Sequence, residues 1–109
     1  MTGYKVILYG PEEALQSILQ GLASLGLGRI GNYDSWSVTS PVTERYRPLA
    51  GSLAQRGQTG ALEEAPSFRI ELQCRKDELE KMIEKIKELH PYETPAIEVL
   101  ELFYPTFEN

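Results

Sequence analysis

The hydrophobic positions of this chain follow two periods, and the switches between them mark out its elements. Residues 4–9 (YKVILY) are a short apolar and aromatic run bounded by Gly10 and Pro11, which predicts a strand with both faces covered. Pro11 is placed to open a helix, since its missing N–H is not needed at the first helical position, and Glu12 and Glu13 suit the positive end of the helix dipole. Leu15, Ile18, Leu19, Leu22 and Leu25 then recur at helical spacing as one stripe, and Gly26 and Gly28 stand where a helix-ending glycine is expected.

Residues 29–39 carry Ile30, Tyr33, Trp36 and Val38 among small polar residues and read as a second strand, with a bulge or twist around Tyr33 to Trp36. From 40 to 66 the character changes. Gly51, Gly57 and Gly60 with Pro41, Pro48 and Pro66 indicate a long loop, within which 44–50 has the composition of a short strand. Residues 67–75 alternate, with Phe68, Ile70, Leu72 and Cys74 facing one way and Arg69, Glu71, Gln73 and Arg75 the other. Asp77 and Glu80 have the spacing of a capping box. Leu79, Met82, Ile83, Ile86 and Leu89 follow as a second helical stripe that His90 and Pro91 end. A last strand is expected at 96–102, with a loosely held tail after Pro105.

The order β, α, β, loop, β, α, β predicts a ferredoxin-like α+β sandwich, βαββαβ, over 1–109 as a single domain. Two right-handed crossings would put both helices on one face of a four-stranded antiparallel sheet. The uncovered face and the edge strands then predict a homo-oligomer.

Composition narrows the function classes. The net charge is −5 over 109 residues, which argues against nucleic acid and anionic membranes as partners, because no counterion release or surface attraction would favour them. Cys74 is the only cysteine, so neither an internal disulfide nor a Cys-based zinc site is expected within one chain. No signal peptide and no apolar run of membrane length is read, and the expected location is cytoplasmic.

The side chains that could carry chemistry each have a structural alternative. His90 is the only histidine. At a helix C-terminus it can bond the last carbonyls, or it can serve a divalent metal ion with Glu93, joined by Asp34 or by symmetry copies. Tyr92 and Glu93 lie between Pro91 and Pro95, which stiffen the turn that aims the last strand. Arg29, Arg45, Arg47 and Arg69 could hold a small anionic ligand, or pair with Glu63, Glu64 or Glu71. Gly57-Gln58-Thr59-Gly60 lacks the pattern of a phosphate-binding loop. Cys74 falls on the apolar face of its strand, as a small buried hydrophobe. Trp36, Tyr33 and Tyr46 read as core or interface residues, and Ser35 and Ser37 have no local histidine to activate them.

Several motifs resemble a known family. His90-Pro91-Tyr92-Glu93-Thr94-Pro95 is similar to the C-terminal motif of the CutA divalent-cation-tolerance family, and more so to the insert domain of the YqfO (larger Nif-three-like) family. Gly28-Arg29-Ile30-Gly31-Asn32-Tyr33-Asp34, then Tyr46-Arg47-Pro48-Leu49, then Gly57-Gln58-Thr59-Gly60-Ala61-Leu62-Glu63 running to Arg69-Ile70-Glu71, match that insert as well. The first strand and helix match in pattern only. The resemblance implies the fold shared by CutA and the PII signal proteins, usually trimeric, with ligands bound at clefts between subunits near the loop joining the second and third strands. The two-metal site of the YqfO proteins belongs to a flanking domain that this sequence does not include, so their activity is not implied. On this basis the expected function is a non-enzymatic binding or regulatory module. Its ligand site would be lined by Asn32, Tyr33, Asp34, Arg47, His90, Tyr92 and Glu93. The alternatives are a divalent-metal-binding protein using His90 and Glu93, and a structural domain that binds a protein partner.

Overall fold

A computed structural model describes residues 3–52 and 58–103. The elements are β1 (Gly3–Gly10), α1 (Glu12–Ser24), β2 (Val38–Tyr46), β3 (Glu63–Arg75), a 3-10 turn (Lys76–Glu78), α2 (Leu79–Leu89) and β4 (Ile97–Leu102). The four strands form an antiparallel sheet in the order β2-β3-β1-β4. The expected α+β sandwich is therefore present, with β1 central and β2 and β4 at the edges.

Strand alternation sends Val6, Leu8, Ile70, Leu72 and Cys74 to one face, where Leu15, Ile18 and Leu22 of α1 and Met82 and Ile86 of α2 meet them. At about 1.5–3 kcal/mol for each fully buried large aliphatic, this layer is the main source of stability. Gly21 lets the helices approach closely, since a Cβ there would lie 2.6 Å from Leu89 Cδ1.

The opposite face carries a polar lattice. Ile7 is only 4% exposed there and is flanked across the sheet by Glu71 and Glu98. Glu71 binds Lys5 Nζ at 3.1 Å and Arg69 Nη1 at 2.9 Å, and Tyr9 Oη donates to Glu98 at 3.0 Å. Long charged side chains thus take the place of a second helical layer. The centre of this face is a poor apolar interface, which leaves the edges as the exposed backbone.

The structure differs from the sequence reading in five places. Pro11 takes the N-cap position, one residue before the helix. Leu25 is the α1 C-cap and is 41% exposed, while Leu27 fills the core position instead. The second strand lies at Val38–Tyr46, and 29–37 forms a tight turn, because positive φ at Gly28, Gly31 and Ser35 breaks an extended chain. Strands take both ends of the 40–66 stretch, so the connection is 47–62; Pro41 is tolerated on an edge strand, and Pro66 lies where β3 has passed beyond its β1 partner. Asp77 sits inside the 3-10 turn, and Glu78 Oε1 accepts the Arg75 backbone N–H at 3.1 Å in place of the expected Asp77–Glu80 box. The tail after Pro105 lies outside the described residues.

Candidate functional site

The α2–β4 connection is built around His90, which is 7% exposed. The helix ends because Pro91 cannot continue it, and His90 turns extended at φ −79°, ψ 133°. Its imidazole serves two backbone groups. Nδ1 accepts the Tyr92 N–H at 3.2 Å. The proton therefore sits on Nε2, which donates to the Tyr9 carbonyl of β1 at 2.6 Å. The His90 backbone N–H closes the helix on Ile86 O at 2.9 Å. The imidazole, for which bonding the last helix carbonyls was one of two roles left open by the sequence, instead ties the helix end to the central strand. Gly10 makes room for the ring, since a Cβ there would stand 3.0 Å from Nε2. Tyr92 packs edge-on against the imidazole, with ring centres 4.7 Å apart.

This arrangement commits both ring nitrogens. A metal ion on His90 would have to displace the Tyr92 N–H from Nδ1 or take the place of the Nε2 proton. Among the described residues no three His, Cys, Asp or Glu side chains converge. Asp34 accepts a hydrogen bond from Ser35 Oγ at 2.8 Å.

Beside the connection lies an open cleft of about 480 Å³. Pro11, Ala14, Leu89, Pro91 and Tyr92 supply its apolar lining, and Glu13 and Ser17, one helical turn apart on α1, its polar groups. Of these residues only Tyr92 is among the candidate site residues named from the sequence. Glu13 and Ser17 share the polar face of α1, and nothing in their spacing distinguishes that face from ordinary solvated surface.

The α1–β2 turn is a different construction, made of backbone bonds. Ile30 and Tyr33 exchange both N–H···O bonds at 2.8 Å around Gly31 and Asn32. Beneath them Ser35 N–H donates to Leu27 O at 2.8 Å and Trp36 N–H to Gly28 O at 2.9 Å. Buried Leu27 anchors the base. Gly28 has φ +81°, and a Cβ on it would meet Trp36 O at 3.0 Å. Ser35 holds φ 60°, a conformation uncommon outside glycine, asparagine and aspartate. The tip presents Tyr33, 75% exposed, between exposed Asn32 and Asp34. Tyr33 is therefore no core residue.

Arg47 is exposed at the end of the β2–β3 arm, five β3 residues beyond the last β1 pair, Gly10 with Phe68. Arg45 pairs with Glu64 at 2.7 Å and Arg69 with Glu71, as expected. In the glycine-containing loop, Gly60 N–H is spent on Pro48 O at 2.7 Å and Ala61 N–H on Gln58 O at 3.0 Å; Gly57 lies outside the described residues. Cys74 is buried, and desolvation, with Glu78 and Asp77 nearby, pushes its thiol up from 9.0 to about 11, which keeps it protonated and unreactive near neutral pH.

One chain does not bring the named residues together. Asn32, Tyr33 and Asp34 lie where α1 has returned toward the Gly3 end of β1. His90, Tyr92 and Glu93 lie at its Gly10 end, the other end of a strand about 23 Å long at about 3.3 Å per residue.

Comparison with known proteins places these features. Residues 58–105 match the model of the CutA1 divalent ion tolerance protein family. The chain is 29% identical over 99 residues to a protein of Halalkalibacterium halodurans named GTP cyclohydrolase 1 type 2 homolog, covering 91% of this chain and 27% of that protein. The chain thus spans about a quarter of the length of the curated relatives it matches. The Bacillus cereus protein related to NIF3 superposes with a TM-score of 0.82 at 28% identity, over 94% of this chain and 26% of that one. The periplasmic divalent cation tolerance protein CutA of Archaeoglobus fulgidus superposes at 0.70 over 96% of this chain and 87% of its own, and at 17% identity it attests the fold alone. The chain is a homologue of a CutA-like segment of the Nif3-related proteins, and it carries the CutA fold.

Proposed function

We propose that this chain is a non-enzymatic binding or regulatory module that works as a homo-oligomer, a trimer in preference, with its ligand site between subunits. One observation carries the reading: both edge strands are unpaired among the described residues, and β4 exposes Val99 and Leu100 beside Phe103. An exposed strand edge with apolar side chains is a template for another chain. Assembly is also the only way to bring Asn32, Tyr33 and Asp34 near Tyr92 and Glu93, since they sit at opposite ends of one chain. The groups best suited to chemistry are held in structural roles, His90 by two hydrogen bonds and Cys74 by burial. Arg47, exposed at the arm end, is one cation placed to meet a small anionic ligand.

The divalent-cation reading with His90 and Glu93 ranks second; the descriptions of the CutA relatives favour it, and the commitment of both His90 nitrogens opposes it. Light scattering with divalent metal and with EDTA tests both. A multimer of unchanged mass in the two conditions is the expected result. A monomer would overturn the proposal and favour a domain that binds a protein partner. A screen of metals, nucleotides and small anions by melting temperature should then find the ligand, and shifts confined to metals would move the reading to the second.

A further inference from the structure

We infer that the α1–β2 turn of one copy docks into the cleft beside His90 of the next, with Tyr33 as the inserted side chain; this rests on the oligomeric reading above. Three observations point the same way. The turn is pre-organised: four backbone hydrogen bonds, buried Leu27 and the constrained Gly28 and Ser35 fix its shape before binding. A rigid tip loses little entropy on docking, and tyrosine and arginine are the side chains that most often dominate interfaces. Yet Tyr33 stands 75% exposed, touching no core.

The cleft is the matching hole. Its apolar lining from Pro11, Ala14, Leu89 and Pro91 and its volume of about 480 Å³ take an aromatic ring and part of the turn that carries it. Glu13 and Ser17 can accept hydrogen bonds at its polar side. Charge agrees as well. Arg29 at the turn donates Nε–H to Gly31 O at 2.6 Å and has no carboxylate partner among the described residues; Glu13 has no cation partner among them either. Knob and hole lie at opposite ends of β1, so a chain cannot fill its own cleft. A contact of this kind is heterologous, head to tail, and closes into a ring when successive copies rotate suitably. The candidate residues at the two ends of the chain then meet at each junction.

The test mixes two variants of the full chain that both keep Tyr33, Asn32→Cys and Ser17→Cys, with a short bis-maleimide. The buried Cys74 is silent toward the reagent. A cross-linked pair that forms in the mixture and in neither variant alone is the expected result. Light scattering on Tyr33→Ala, with its fold checked by circular dichroism, should show assembly weakened about tenfold or more, the loss typical of a central interface residue. If wild type is multimeric while the mixture gives no pair and Tyr33→Ala keeps the wild-type mass, the docking contact is overturned and the oligomer stands; the cleft then serves another surface or a small ligand. If wild type is monomeric, the oligomeric reading falls and the docking contact with it.

Discussion

The two helices of this fold leave for their next strands in opposite ways. After α1 the chain turns through glycines and backbone bonds, and its aromatic side chain is left pointing at solvent. After α2 it turns on one buried imidazole, which clamps Tyr9 of β1 and Tyr92 of the turn. The first exit is held by backbone bonds over buried Leu27 and leaves Tyr33 exposed. The second consumes its most versatile side chain in holding the fold. In two halves of similar pattern, the imidazole is bound up in backbone hydrogen bonds, and the tyrosine read as core or interface stands exposed.

Three substitutions test that contrast, in order of size. His90→Ala should cost the most, about 3 kcal/mol in urea denaturation, because it empties a buried site and leaves the Tyr9 carbonyl and Tyr92 N–H without their partner. A loss below 1 kcal/mol would show that the ring is not the clamp. Gly28→Ala should cost about 2 kcal/mol by the same measurement, from a strained positive φ and a Cβ pressed on the Trp36 carbonyl. A neutral result would mean that the first exit is less constrained than its hydrogen bonds imply. Tyr33→Ala should change the unfolding free energy of a dilute, dissociated sample by less than about 0.5 kcal/mol, as befits an exposed side chain. A larger loss would give Tyr33 a structural role and erase the difference between the exits.

Much of the fold was legible in the order of residues. The helical stripes at Leu15, Ile18 and Leu22 and at Met82 and Ile86, and the alternation from Phe68 to Cys74, are set by burial, and burial writes a periodic pattern. β2 was not legible, because an edge strand takes its form from pairing with β3 and tolerates Pro41 and exposed threonines. Residues 29–37 misled for the converse reason: their apolar side chains imitate a strand, while Gly28 and Gly31 already forbade one. At the candidate site, the motif from His90 to Pro95 spans the turn whose Pro91 and Tyr92 line the cleft. The partner of the imidazole is a backbone carbonyl 81 residues away in sequence, which no local pattern encodes. The cleft was invisible too, because it is made from the start of one helix and the end of the other.

The pairing of Gly3 with Leu102 across the β1–β4 ladder has a topological consequence. Neighbouring strands lie about 5 Å apart, so the chain enters and leaves this unit through nearly the same point. A host polypeptide could accept the whole unit within a single surface loop, keeping its own fold on either side of the splice. The same geometry would let the unit serve either as a guest within a longer chain or on its own, with little change to its interior.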